Sequence, residues 1–290
     1  MYATRLISAE LVGARVVSLE LLSRFRQRVF RAKGSGQYQP SCVEIAQFAR
    51  DGLVIPKSRV PEPVLLELEH ALSGILRTST EDTPDRFPHL LRDSRYADVI
   101  VRFARRPEIL NVVQQLIGSD IALWGAGIFG KPPIRGKATP WHQDAAFLEY
   151  QAIQPLRLCS AWVALDDSTP ENGCVNYISG SHQARTVYSH RFCESQSHTL
   201  DLVLQDYPID SNIQCATLRR GQFSVHDVFL IHGSEANRSG RRRAGIALRY
   251  MPTSSFYDYD LAKRSNAPDR TIYLVRGIDR SGRNQLVSAL

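Results

Sequence analysis

The apolar positions change their period near residue 120. Before that point they recur every three or four residues. Leu21, Phe25 and Val29 fall on one face of a helix that Ser18 would cap, running to about Lys33 and ending at Gly34-Ser35-Gly36. Ser41 followed by Glu44 has capping-box spacing, and the helix it opens should stop near Gly52. Leu53-Val54-Ile55-Pro56 reads as a short strand. Leu65, Leu68, Leu72 and Ile75 mark a helix after Pro61 and Pro63. Ile109, Val112, Val113 and Leu116 mark another behind Pro107, a residue suited to a first helical turn.

From Ile121 the runs are short and β-like: 121–130, 158–165, 174–178, 223–231 and 244–250, divided by Gly, Pro, Asn or Asp turns. Helices first and strands later predict a mainly β fold with flanking helices, its core a double-stranded β-helix (jelly-roll, cupin-like) at about 121–255. Residues 1–40 read as an N-terminal helical extension and 41–290 as the main domain. The polar, aperiodic stretch Ala184–Gln214 predicts a loop or lid over the barrel mouth. There are no internal repeats.

Composition narrows the picture. With 290 residues, 43% of them hydrophobic, the chain can bury one large core. Its net charge is +7, and all but five of its 36 basic residues are Arg. A GC-rich coding sequence gives such a bias by itself; an anionic substrate or partner would explain it too. The basic residues are scattered and carry no binding motif, which argues against nucleic acid. Five cysteines without paired spacing point to reduced thiols, and no Cys-x-x-Cys suggests structural zinc. No apolar run nears 18 residues, so no membrane span is expected. Residues 1–33 are Arg-rich but hold Glu10 and Glu20, against an organelle transit peptide. Ser288-Ala289-Leu290 lacks the basic middle residue of a peroxisomal address. The expectation is a cytoplasmic protein acting on a small molecule, with oligomeric state left open.

The candidate chemistry sits in Trp141-His142-Gln143-Asp144. Residues i and i+2 of a strand share a face, so His142 and Asp144 can bind one metal from one strand. A further His from a neighbouring strand would complete a 2-His-1-carboxylate triad, the open-sided site of non-haem Fe(II) oxygenases. Alternation cannot choose between His226 and His232, which would share a face of one strand. Nor can it choose among Arg241, Arg243 and Arg249 as the partner of a co-substrate carboxylate. Of the remaining histidines, His70, His89, His190 and His198 carry no signal, and His182 reads as structural. Phe129, Phe147 and Tyr150 read as core first and as pocket lining second.

Six segments in order make the chain resemble the phytanoyl-CoA dioxygenase family of Fe(II)/2-oxoglutarate oxygenases. They are 48–55, Lys131-Pro132-Pro133 with 141–145, 159–165, Glu171-Asn172-Gly173-Cys174, Ser179-Gly180-Ser181-His182, and His232-Gly233-Ser234 through Asn237-Arg238-Ser239 to Arg243. The resemblance implies that 41–290 is a dioxygenase domain. It selects His142, Asp144 and His232 for Fe(II), and Arg243, Ser234 and Trp162 for 2-oxoglutarate, with O2 as the other co-substrate. It implies oxidation of an unactivated C–H bond of a small polar metabolite or natural-product intermediate, coupled to release of succinate and CO2. A carboxylate at 144 favours hydroxylation over halogenation. Desaturation or ring closure would begin the same way, and a non-catalytic jelly-roll binding protein is the reading from another class. Two positions depart from the family pattern: Ser179 stands where Pro is usual, and Gln222 where Asp is usual.

Overall fold

The large sheet of the computed structural model, which describes residues 38–78, 86–87, 89–195, 197–207, 212–267 and 270–288, has eight strands. Its order is β1 (Leu53–Val54), β11 (Phe223–Asp227), β6 (Cys159–Ala164), β13 (Arg243–Pro252), β3 (Ile121–Lys131), β15 (Ile272–Arg276) and β16 (Leu286–Ser288). β2 (Arg86–Phe87) pairs with β3. A four-stranded sheet runs β10 (Ile213–Ala216), β7 (Val175–Ile178), β12 (His232–Ser234) and β4 (Thr139–His142), and β5 (Ile153–Gln154) pairs with β14 (Phe256–Tyr257). The chain crosses from the large sheet to the small one after Lys131, after Ala164 and after Asp227. This is the double-stranded β-helix that the strand pattern predicts. The helix expected at 18–33 lies outside the described residues.

Alternation decides what each large-sheet strand offers. Cys159, Ala161 and Val163 of β6, Phe223 and Val225 of β11, and Ile246, Leu248 and Tyr250 of β13 belong to one buried apolar cluster. The same cluster takes in Leu65 and Leu68 of α2 (Glu62–Ala71), Ile100 and Phe103 of α4 (Ser94–Ala104), and Ile109 and Val113 of α5 (Pro107–Ile117). Between α2 and α4 lies the short α3 (Ser73–Thr78). Each fully buried side chain of this size contributes roughly 1.5–3 kcal/mol of transfer free energy. The helices therefore cover one face of the large sheet, and the residues between the apolar ones point to the other.

The capping box is present. In α1 (Cys42–Asp51), Ser41 Oγ accepts from Glu44 N, while Glu44 accepts from Ser41 N at 2.7 Å and from Lys57 N at 2.8 Å. Gly52 ends the helix at φ 80°, a left-handed conformation that needs glycine. A Cβ there would also meet the His182 ring at 2.5 Å. His182 is thus a packing residue.

Three expectations are corrected or extended. The run 223–231 is not one strand: β11 stops at Asp227, whose Oδ1 accepts from Phe229 N at 2.9 Å, and this turn carries the chain to the other sheet. The stretch 184–214, expected as a loop or lid, holds short strands as well, since β8 (His190–Phe192) and β9 (Leu202–Leu204) pair antiparallel within it. Three-residue strands are too short to show a period. Finally, α4 buries Ala97, Ile100, Val101 and Ala104 at helical spacing, although no helix is expected there.

The departures from the family pattern have local consequences. Ser179 donates to Asp51 Oδ1 at 2.9 Å, and Gln222 accepts from Arg219 N at 2.8 Å. Both hold turns outside the cavity. Among the described residues no helix is long and apolar enough to cross a membrane.

Candidate active site

Both sheets line one cavity, and the three expected metal ligands meet in it. His142 ends β4 and lies directly opposite His232 of β12, so the two rings approach with centroids 4.2 Å apart. Asp144 is not on the strand; it opens a 3-10 turn. Gln143 between them keeps an extended backbone (φ −114°, ψ 135°), so Asp144 still returns to the side of His142. The Gln143 side chain is fully buried elsewhere. It donates to Phe229 O at 2.7 Å and Thr186 O at 3.0 Å and accepts from Tyr188 N at 2.8 Å, which pins the segment.

Ligand atoms of His142, Asp144 and His232 all lie within 4.8 Å of one another. The donor set fits a divalent metal. His142 Nδ1 is 2.8 Å from Pro140 O and His232 Nδ1 is 3.0 Å from Leu230 O. A carbonyl can only accept, so Nδ1 carries the proton in both rings and each Nε2 keeps its lone pair. Burial pushes both imidazoles toward the neutral form. Burial also works to raise the Asp144 carboxyl, but His226, His232 and Arg249 hold it well below the usual carboxylate range. Ser160 donates to Asp144 Oδ2 at 3.2 Å.

His226 lines the cavity as well, entering from the large sheet. Its ring lies 4.6 Å from that of His232, and its Nε2 is 3.7 Å from Asp144 Oδ2. The two histidines therefore face the cavity from opposite sheets, and the turn at 227–229 separates them.

At one end of the cavity lie Arg243, Ser234 and Trp162. Arg243 donates from Nε and Nη2 to Gly173 O at 3.1 and 2.6 Å and sits 5.0 Å from the centre of the Trp162 ring. Gly173 adopts φ 81°, and a Cβ there would meet Glu235 O at 2.3 Å, so the Glu171-Asn172-Gly173 turn owes its shape to glycine. Trp162 lies across Gly245, where a Cβ would come within 2.1 Å of the ring. Asn237 donates to Lys131 O, Pro132 O and Arg241 O at 3.0, 3.1 and 2.7 Å, tying the approach of β13 to the end of β3. The segments at 131–133, 159–165, 171–174 and 232–243 thus meet at this end of the pocket.

The other end holds residues for which sequence reasoning assigned no role. Arg270, Glu149, Trp124 and His89 line it, together with Arg249, considered before only as a rival to Arg243. Phe129, Phe147 and Tyr150 line the cavity too, while Tyr150 also stacks on Trp124 with centroids 4.6 Å apart. Arg270 stands outside any motif, and His89 sits alone in a turn, so neither leaves a local signal. Thr199 and Leu200 bring the 184–214 segment into the wall, with Thr199 N donating to Ala138 O at 2.9 Å.

Fold and site together define a jelly-roll with an open-sided His-Asp-His centre and a buried arginine beside it. Residues 48–245 match the phytanoyl-CoA dioxygenase family, and the chain belongs to that family. A probable alpha-ketoglutarate-dependent hypophosphite dioxygenase of Stutzerimonas stutzeri is 31% identical over 58% of this chain and 57% of its own length. L-proline trans-4-hydroxylase of Streptomyces griseoviridis is 26% identical over 70% of this chain and 84% of its own. The solved apo structure of the non-heme monooxygenase ThoJ superposes with TM-score 0.63 at 25% identity, covering 83% of this chain and 88% of that one. The first three curated relatives are spanned over 57%, 50% and 60% of their length.

Proposed function

We propose that the chain is an Fe(II)- and 2-oxoglutarate-dependent oxygenase that hydroxylates a C–H bond of a small polar metabolite or natural-product intermediate. The observation that carries this reading is the convergence of His142, Asp144 and His232 ligand atoms within 4.8 Å, with both Nδ1 positions committed to backbone carbonyls. His142, Asp144 and His232 would hold Fe(II), leaving about three positions open for co-substrate and O2. When bound, the iron supplies the oxidative chemistry that couples 2-oxoglutarate decarboxylation to substrate oxidation. The chain's own work is binding and positioning.

In this reading Arg243 and Ser234 take the distal carboxylate of 2-oxoglutarate, and the Gly173 carbonyl and the Trp162 face hold the guanidinium in place beforehand. Ser160 orients Asp144, and Gln143 keeps the two ligands of its segment at a fixed separation. The apolar walls around Phe129 and Phe147 keep water from the reacting C–H bond. Both relatives named above are oxygenases, which supports the class without fixing the substrate.

The test is anaerobic loading with Fe(II), followed by 2-oxoglutarate and O2. About one iron per chain and iron-dependent succinate formation are expected. Full succinate formation by a variant lacking both His142 and Asp144, or none by wild-type protein of full iron content, would sink the reading.

A further inference from the structure

The cavity end away from Arg243 brings Arg249, Arg270, Trp124 and His89 together beside the carboxylate of Glu149. Arg249 projects from β13 on the same side as Arg243, and Arg270 comes from the segment before β15. The two converge: an ideal Cβ on Gly125 would lie 3.6 Å from Arg249 Cδ and 3.5 Å from Arg270 Nη1. Both side chains thus pass over the same point of β3, each in ordinary van der Waals reach of position 125. The Arg270 side chain is only 6% exposed and rides 4.0 Å above the Trp124 ring.

Two guanidinium groups drawn together out of water need anions. Glu149 supplies one, its Oε2 lying 2.6 Å from Arg270 Nη2. No second carboxylate of the described residues ion-pairs with Arg249, which instead faces the rings of Phe129 and Tyr150 at 5.5 and 5.9 Å. Burial works against the charge of Arg249, but Tyr150, Asp144 and Glu149 more than offset it, so it stays a cation. Nearby His89 is held neutral by burial and by Arg270, its pKa lowered to about 4. Arg249 Nε, Arg270 Nε and Trp124 Nε1 are buried donors that reach no hydrogen-bond acceptor among the described residues. Such groups are costly to leave without a partner.

We infer that Arg249 and Arg270 form the substrate-recognition site, and that the substrate is a small molecule carrying a carboxylate or a phosphonate-type oxyanion, with its apolar body against the aromatic wall of Phe129, Phe147 and Tyr150. An oxyanion supplies the acceptors that three donors lack and balances the excess positive charge. Arg249 also lies beside Ser160, opposite it in the β6–β13 register, and Ser160 contacts Asp144. An anion held there places the neighbouring carbons of the substrate next to the candidate metal. The inference deepens the oxygenase reading and rests on it for the word substrate; the anion site stands on its own geometry.

The test is therefore a binding measurement, independent of turnover. Benzoate, phenylphosphonate and the neutral benzamide are titrated calorimetrically into wild-type protein, Arg249→Gln/Arg270→Gln and Arg243→Gln. At least one of the two acids should bind wild type at least tenfold more tightly than benzamide, and which of them does so separates carboxylate from phosphonate recognition. That affinity should fall at least tenfold in the Arg249/Arg270 variant and persist in Arg243→Gln. Arg249→Lys, which keeps charge and bulk but loses the planar fork, should show an intermediate loss and serves if the double variant does not fold. Absence of acid binding, equal binding of benzamide, or loss only in Arg243→Gln overturns the inference. Failure of succinate formation with intact acid binding would count against the oxygenase reading alone.

Discussion

The two faces of β13 show how one strand serves stability and chemistry separately. Ala244, Ile246, Leu248 and Tyr250 enter the apolar cluster beneath the helices. Arg243, Gly245, Ala247 and Arg249 alternate with them and turn to the other side, where Arg243, Ala247 and Arg249 line the cavity. On that side even the small residues have work to do, since Gly245 gives room to Trp162. A period of two thus separates a face that needs only volume and apolarity from one where each position has its own partner. Substitutions on the first face should cost folding, and substitutions on the second should cost binding and turnover.

The largest expected effect lies at the candidate metal centre, in the cavity that the second face of β13 lines. His232→Ala should abolish iron retention and substrate-coupled succinate formation while the melting temperature of the metal-free protein stays near wild type. His226→Ala should keep iron at about one per chain. Iron content of the two variants after anaerobic loading and gel filtration decides this, and the reverse outcome would exchange the two histidines.

Leu248→Ala should produce the opposite profile. Removing a fully buried leucine side chain typically costs about 2–5 kcal/mol. Denaturant unfolding should show that loss, while the 2-oxoglutarate requirement of the folded fraction stays unchanged. A shift in that requirement would mean that the two faces are mechanically coupled.

Arg243→Ala comes next. A charge-assisted pair with a carboxylate is worth about 1.5–3 kcal/mol, so the 2-oxoglutarate concentration for half-maximal rate should rise roughly ten- to a hundredfold. Unchanged 2-oxoglutarate dependence with weakened substrate binding would move Arg243 to the other end of the cavity.

What could be read from the sequence follows the same division. The apolar face announces itself through periodicity, so the strands at 121, 158 and 244 and the helices after Pro61 and Pro107 are legible to within a few residues. The grouping of the candidate ligands is legible because His142 and Asp144 are neighbours in sequence and because the family resemblance, not the spacing, selects His232 over His226. The turn at Asp227 was not, since Val228, Phe229, Leu230 and Ile231 continue the apolar run through it. Arg270 and His89 could not be foreseen either. They reach the cavity by tertiary folding from segments 181 residues apart, where Arg270 Nη1 meets His89 Nδ1 at 3.3 Å. Nothing local distinguishes them from other surface-type residues.

The smallest expected effect belongs to the helical layer, which holds a buried carboxylate of its own. Glu44 accepts from Ser41 N and Oγ, Lys57 N and the Tyr38 hydroxyl. Burial works to raise its pKa, but these donors prevail and lower it to about 2 from an ordinary 4.5. A carboxyl whose folded-state pKa is depressed stabilises the fold fully above its unfolded value and loses that contribution as pH falls toward the folded one. Glu44→Gln should therefore lower stability by about 1 kcal/mol at pH 7, the usual scale for a helix cap. The gap to wild type should narrow as pH drops from 4.5 toward 2. Paired melting curves across that range check it, and a gap independent of pH would assign the loss to packing instead of charge. Because Glu44 belongs to the layer of the apolar face, the same substitution should leave the 2-oxoglutarate requirement at pH 7 where it was. A change there would show that the cap of α1 is coupled to the cavity.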